Sequence, residues 1–309
     1  MGSPLGAFLC PPGYAGPTGL RALGREASAV VETARLVRRS ARDSVRRAGR
    51  AADPAPGSDG GPGPAGSRHQ GRPVVLVPGF LAGDTSLFAM SRFLRRHGHR
   101  TYRSAMHVNV GCTQAASEAL ERRVEAVATR RESRVSLVGH SLGGLLARGV
   151  AARRPDLVDG LVTLGSPLLA PGAVHPVLAF DLAVVVAMRR VGLGALMGED
   201  CTSGECARLS WEQSQQPLSR EVAFTSVFSR RDGVVDWRSC LDPVARTVEV
   251  RTSHLGMAVD PTVLDVVAAA LARQHRAEPS AEPDASVESG VVALSRPARW
   301  PEAPIASAG

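Results

Sequence analysis

The stretch Gly139-His140-Ser141-Leu142-Gly143 follows directly on the apolar run Val135 to Val138 and opens the helix-forming run Leu142 to Arg153. That order predicts a strand, a sharp turn and a helix in immediate succession. Gly139 and Gly143 flank the serine because the chain can reverse so tightly only where side chains are absent. The serine then stands at a helix N-terminus, where unpaired backbone N–H groups favour developing negative charge.

Apolar runs alternate with helical ones on both sides of this turn. Val74 to Val77, Arg100 to Ala105, Val135 to Val138, Leu161 to Leu164, Ala223 to Phe228 and Thr247 to Val250 read as strands. Leu87 to His97, Thr113 to Arg130, Leu142 to Arg153 and Pro261 to Arg273 read as helices, the last with proline in its first turn. Such alternation predicts a mostly parallel sheet with helices on both faces, and right-handed crossovers bring every loop that follows a strand to one edge. Ser141, Asp232 and His254 all lie in such loops. They are therefore expected to converge although they are far apart in sequence.

The chain resembles the α/β-hydrolase superfamily, in particular its bacterial lipases and esterases. The resemblance covers about Arg72 to Gln274 and rests on Pro73-Val74-Val75-Leu76-Val77-Pro78-Gly79-Phe80, on Gly139 to Gly143, on Asp232 and on His254 in the order serine, acid, histidine. Leu164-Gly165-Ser166-Pro167 is similar to the strand end that opens into the lid of such enzymes. The resemblance implies an α/β-hydrolase fold with a helical lid insert, and hydrolysis of carboxylic esters through an acyl-enzyme. Ser141 is the expected nucleophile, His254 its base and Asp232 the acid that orients the imidazole. Asp236, four residues on, is the alternative acid, placed deeper in the following turn. The expected oxyanion donors are the amides of Leu142 and of Phe80 or Leu81. His140 is expected to point away from the serine as a structural residue, and His175 falls in the insert. An acyltransferase would use the same three residues, and a non-catalytic binding protein on this fold would normally lack one of them.

Between Pro167 and Pro217 the alternation stops for some fifty residues, with an apolar stretch from Val177 to Met188. Two readings stand: a cap whose Leu178 and Val185 line an acyl pocket, or a plain core helix. The stretch is too short and interrupted to span a membrane.

The chain carries no lysine, and its net charge of +8 is concentrated in residues 1–72, where eleven Arg face five acidic residues. The rest is nearly neutral, which argues against nucleic acid as a partner; the resemblance implies a small-molecule or lipid ester as substrate. Residues 1–71 read as an extension: a Gly/Pro-rich start, a helix over 20–48, and a Pro/Gly/Ser linker. Along that helix Leu20, Leu23, Ala27, Val30, Ala34, Val37, Ala41 and Val45 form a thin apolar stripe opposite arginines. The stripe fits either packing on the domain or peripheral contact with anionic lipid. Residues 72–274 form the expected catalytic domain, and 275–309 read as a disordered tail. The start lacks the basic segment and long apolar core of a secretory signal, which predicts a cytoplasmic protein. Cys201 and Cys206 bracket a loop short enough for a disulfide, while Cys112 and Cys240 each follow a strand; compartment decides between disulfides and thiols. No CxxC pair or His-x-x-x-His spacing accompanies them, so no zinc site is expected, and the chemistry calls for no cofactor.

Overall fold

The strands are β1 (Pro73–Val77), β2 (Arg100–Arg103), β3 (Val135–His140), β4 (Val158–Leu164), β5 (Ala223–Phe228) and β6 (Arg246–Glu249); β1, β3 and β4 are rich in Val and Leu, β5 mixes apolar and hydroxyl residues, and the edge strands β2 and β6 carry Arg and Thr. The structure, a computed structural model, describes the backbone of residues 5–52, 71–192 and 196–274 and the side chains of these except 45–52 and 274. The helices in chain order are α1 (Gly19–Glu26), α2 (Ser28–Ala52), α3 (Phe88–Arg96), α4 (Thr113–Arg131), α5 (Leu142–Arg153), α6 (Pro176–Arg190), α7 (Asp200–Ser203), α8 (Glu205–Ser214) and α9 (Pro261–Gln274). The tail beyond residue 274 and most of the expected linker lie outside the described residues.

All six strands are parallel, in the order β2-β1-β3-β4-β5-β6. Parallel strands covered on both faces need apolar residues at successive positions, and every residue of β1, β3 and β4 is buried. Alternate residues serve opposite faces. Val74, Leu76, Val138, Val162 and Val227 pack with α3 and α9, while Val75, Val77, Leu137 and Leu161 pack with α4 and α5. β1 has β2 on one side and β3 on the other, so the chain changes direction between β1 and β3. At such a switch point the loops leave the strand ends in opposite directions and open a crevice. The loop after β1 and the Ser141 turn after β3 both border it.

The segment between β4 and β5 folds as α6, α7 and α8. Leu182 and Val185 of α6 are buried with Met197, whereas Val177, Phe180, Val184 and Met188 are exposed on its other side. Among the described residues no helix is long and apolar enough to cross a membrane.

The N-terminal region departs from expectation in two ways. Residues 5–18 pack on the insert: the Gly6 amide donates to the Thr202 carbonyl at 3.0 Å, and the Gly172 amide to the Leu9 carbonyl at 2.6 Å. The expected single helix over 20–48 is broken at Ala27 into α1 and α2, and its apolar stripe is not the docked face. Leu20, Val30 and Val37 are 86%, 75% and 62% exposed, whereas Ala22 and Glu32 are buried. The stripe is too thin to drive docking, and hydrogen bonding by two carboxylates fixes the orientation instead.

Candidate active site

Ser141 occupies the junction of β3 and α5 with φ 53° and ψ −125°, a left-handed conformation that costs a non-glycine residue on the order of 1–3 kcal/mol. Its neighbours explain why the turn closes. A Cβ on Gly139 would overlap the backbone of Gly143 and Gly144, and one on Gly143 would overlap the Val77 and Pro78 carbonyls. The Ser141 hydroxyl has no hydrogen-bond partner among the described residues and borders an apolar cavity of about 130 Å³.

Asp232 follows β5 and His254 follows β6. Asp232 Oδ2 lies 2.7 Å from His254 Nδ1, with both residues buried. The other carboxylate oxygen accepts the amides of Val234 (2.8 Å) and Val235 (2.7 Å), which fixes its plane. Burial disfavours a charged His254. The Asp232 carboxylate, through its charge and its hydrogen bond, together with the charge of Glu26, outweighs burial and raises the histidine above its ordinary value. The loop of His254 touches the serine turn through His140, whose Nε2 lies 2.9 Å from the His254 carbonyl oxygen and whose ring centroid is 4.8 Å from that of His254. Burial and the neighbouring His254 depress His140 to about 4. It is therefore neutral near pH 7.

Asp236 is engaged elsewhere. Its carboxylate accepts the amides of Ala15 and Arg238 and pairs with the Arg238 guanidinium at 2.8 Å. His175 is buried at the start of α6, where Nδ1 accepts the Val177 amide. Phe80 lines the cavity, and Leu142 begins α5. Leu81, the alternative to Phe80 as an oxyanion donor, has its amide committed to the Asn109 carbonyl at 3.1 Å. Buried Asn109 also donates to the Pro78 carbonyl and so pins the loop after β1. The cavity walls include Leu178 and Leu182 of α6, Met197, Trp211 of α8, and, from the N-terminal stretch, Leu5 and Leu9. Val185, about two helical turns beyond Leu178, does not line it: it packs in the adjoining cluster with Leu182 and Met197.

Sequence reasoning missed the residues that hold the histidine loop. Glu26 Oε1 accepts the amides of Gly233 (2.9 Å) and His254 (3.0 Å), and its Oε2 accepts that of Leu255 (2.9 Å). Glu32 accepts the Ser253 amide at 3.0 Å and the Ser253 hydroxyl at 2.7 Å. A Cβ on Gly256 would overlap Glu32 Oε2, so the loop is shaped to the carboxylate. These contacts lower the titration of Glu32 although burial opposes it. A signal was present: Glu26 and Glu32 are the only acidic residues in the first 42 positions, within an otherwise arginine-bearing helix.

Cys201 and Cys206 are neighbours, and Cys112 joins them with its Sγ 3.2 Å from that of Cys206. Cys240 is buried apart, with Phe228 and Val235.

A family model described as a PGAP1-like alpha/beta domain matches residues 103–191. A triacylglycerol lipase of Pseudarthrobacter phenanthrenivorans is 31% identical over 104 residues, which cover 31% of this chain and 33% of the relative. One from Burkholderia plantarii is 31% identical over 104 residues, covering 31% and 29%. The matched stretch thus spans about a third of these relatives' length. Among solved structures, the mature Bacillus licheniformis lipase BlEst2 superposes with a TM-score of 0.51 at 14% identity, covering 65% of this chain and 91% of that one. The metagenomic carboxyl esterase MGS0156 gives 0.51 at 16%, covering 72% and 80%. The chain therefore has the α/β-hydrolase fold of these structures and shares with the triacylglycerol lipases a segment of about a hundred residues.

Proposed function

We propose that the chain hydrolyses carboxylic esters of apolar acyl chains through a Ser141 acyl-enzyme. The observation that carries this reading is the buried 2.7 Å contact between Asp232 and His254, on the loop that touches the Ser141 turn beside an apolar cavity. A serine hydroxyl is a weak nucleophile until a base removes its proton. His254 takes that proton as Ser141 Oγ attacks the ester carbonyl, and Asp232 stabilises the imidazolium and fixes its tautomer. The amides of Leu142 and Phe80 receive the oxyanion. His254 then protonates the departing alkoxide, and a water activated by the same histidine releases the acid. Hydrogen bonds between catalytic serine and histidine are often long in free enzymes and tighten once substrate is bound. The insert acts as a lid whose inner wall receives the acyl chain, and Glu26 and Glu32 act as positioning residues for the His254 loop.

The test is covalent labelling and turnover. A fluorophosphonate should modify Ser141, and Ser141→Ala should lower kcat on p-nitrophenyl esters by about 10⁴ to 10⁶. Label on another residue, with full activity in Ser141→Ala, would overturn the proposal.

A further inference from the structure

Cys112 meets Cys201 and Cys206, more than eighty residues away in sequence, beside a wall of the cavity. Cys112 is the residue that precedes α4, Cys201 lies in α7, and Cys206 lies in the first turn of α8. Their sulfurs all lie within 4.8 Å of one another, with Cys112 and Cys206 at 3.2 Å, and all three are half-buried. Zinc–thiolate bonds of about 2.3 Å at tetrahedral angles put sulfurs about 3.8 Å apart, a spacing these distances bracket. A disulfide employs two sulfurs and leaves the third without a purpose. A thiophilic cation employs all three and keeps a fourth position for water or another donor.

The surroundings suit a bound cation. Cys112 is the N-cap of α4, where the positive end of the helix dipole favours a thiolate. The Cys206 amide donates to Asp200 Oδ1 at 3.4 Å, and the Thr113 and Ser210 hydroxyls meet at 3.1 Å, so the two sides of the cluster are already held together. We propose that Cys112, Cys201 and Cys206 form a three-thiolate site for a borderline-soft divalent cation, with zinc as the reference ion. The bound ion clamps α7 and α8 of the insert to α4 of the core. Because Thr113, Cys201, Ala207 and Ser210 also line the cavity, the clamp fixes that wall. Linear spacing hides such a site, since Cys112 lies more than eighty residues before Cys201 and Cys206.

The experiment uses the full chain kept reduced with a phosphine. Zinc is titrated in competition with a chromophoric chelator, and cobalt(II) is added separately for its thiolate charge-transfer absorption. One zinc per chain and tetrahedral thiolate–cobalt bands are expected. Cys112→Ser, Cys201→Ser and Cys206→Ser should each weaken zinc by on the order of 100-fold or more, while Cys10→Ser and Cys240→Ser bind as wild type. Alkylation mapping of the wild-type chain removes dependence on variant folding: zinc should protect the three cysteines and leave Cys10 reactive. Absence of zinc uptake by the reduced chain overturns the proposal. So does uptake that survives the three substitutions, or a Cys112–Cys206 disulfide in untreated protein whose reduced form ignores zinc.

Discussion

Replacing Glu26 tests whether the N-terminal helices hold the histidine or merely cover it. Its carboxylate accepts three backbone amides, those of Gly233, His254 and Leu255, at 2.9–3.0 Å. Hydrogen bonds to a charged group contribute about 1.5–3 kcal/mol each. Glu26 is only partly buried and Leu255 is exposed, so water recovers part of the loss. Glu26→Ala should then cost roughly 2–4 kcal/mol of loop ordering. A displacement of the base by about 1 Å costs on the order of 100-fold in rate, so kcat/KM should fall by roughly 10- to 100-fold. Glu26→Gln separates geometry from charge. With its oxygen in place of Oε1 it keeps the Gly233 and His254 amides and sets an NH₂ against that of Leu255, so kcat/KM should fall less than about tenfold. The charge effect has a definite sign. His254 must be neutral to accept the serine proton, and Glu26 helps to raise it above its ordinary value. Activity is therefore lost as pH falls through that raised value, and removing the Glu26 charge should move the acid limb to lower pH in both variants. The assay is kcat/KM for p-nitrophenyl butyrate against pH, with thermal unfolding measured in parallel. If Glu26→Ala lowers Tm while the folded variant keeps both its kcat/KM and its acid limb, the helix is structural only. Fluorophosphonate labelling of Ser141 in that variant shows that this outcome leaves the acyl-enzyme reading intact.

Asp232→Asn should lower kcat by about 10⁴, because the imidazole is then held in the wrong tautomer. Asp236→Asn should lower kcat less than about tenfold and show its effect in Tm, since its partners are Ala15 and Arg238; steady-state kinetics with the opposite ranking would reassign the acid. For acyl chains, each methylene buried should add about 0.8 kcal/mol, roughly fourfold in kcat/KM, until the cavity is full. Leu178→Ser should flatten that series without abolishing acetate turnover, whereas Val185→Thr should lower Tm and leave the slope unchanged. A slope unaltered in Leu178→Ser would place chain-length selection outside the insert.

The sheet was legible because its physics is local. Val74 to Val77 and Val135 to Val138 are continuous apolar runs because both faces of a parallel sheet are covered, and glycine and proline mark where each run stops. That Asp232 and His254 meet was legible for a topological reason: right-handed crossovers leave the loop after every strand on one edge. The insert was legible only as an interruption. Val177 to Met188 carries apolar residues on nearly every face, so periodicity could not show that Leu178 meets the cavity while Val185 meets Met197.

The N-terminal helices were misread for an instructive reason. Hydrophobic periodicity locates a docked face when apolar burial drives docking. Here the docked face carries Ala22, Glu26, Glu32 and half-buried Leu36, and its strongest contacts are carboxylates on backbone amides. Such a face looks polar in sequence and is scored as solvent-facing. Its converse was readable, since an acid kept at two positions of a helix otherwise stocked with arginine must meet donors that arginine cannot satisfy. The donors are the amides of Ser253, His254 and Leu255, which no strand or helix pairs and which Glu32 and Glu26 accept. The N-terminal helices therefore answer a requirement set by the His254 loop itself, which ties residues at the start of the chain to a loop more than two hundred positions away.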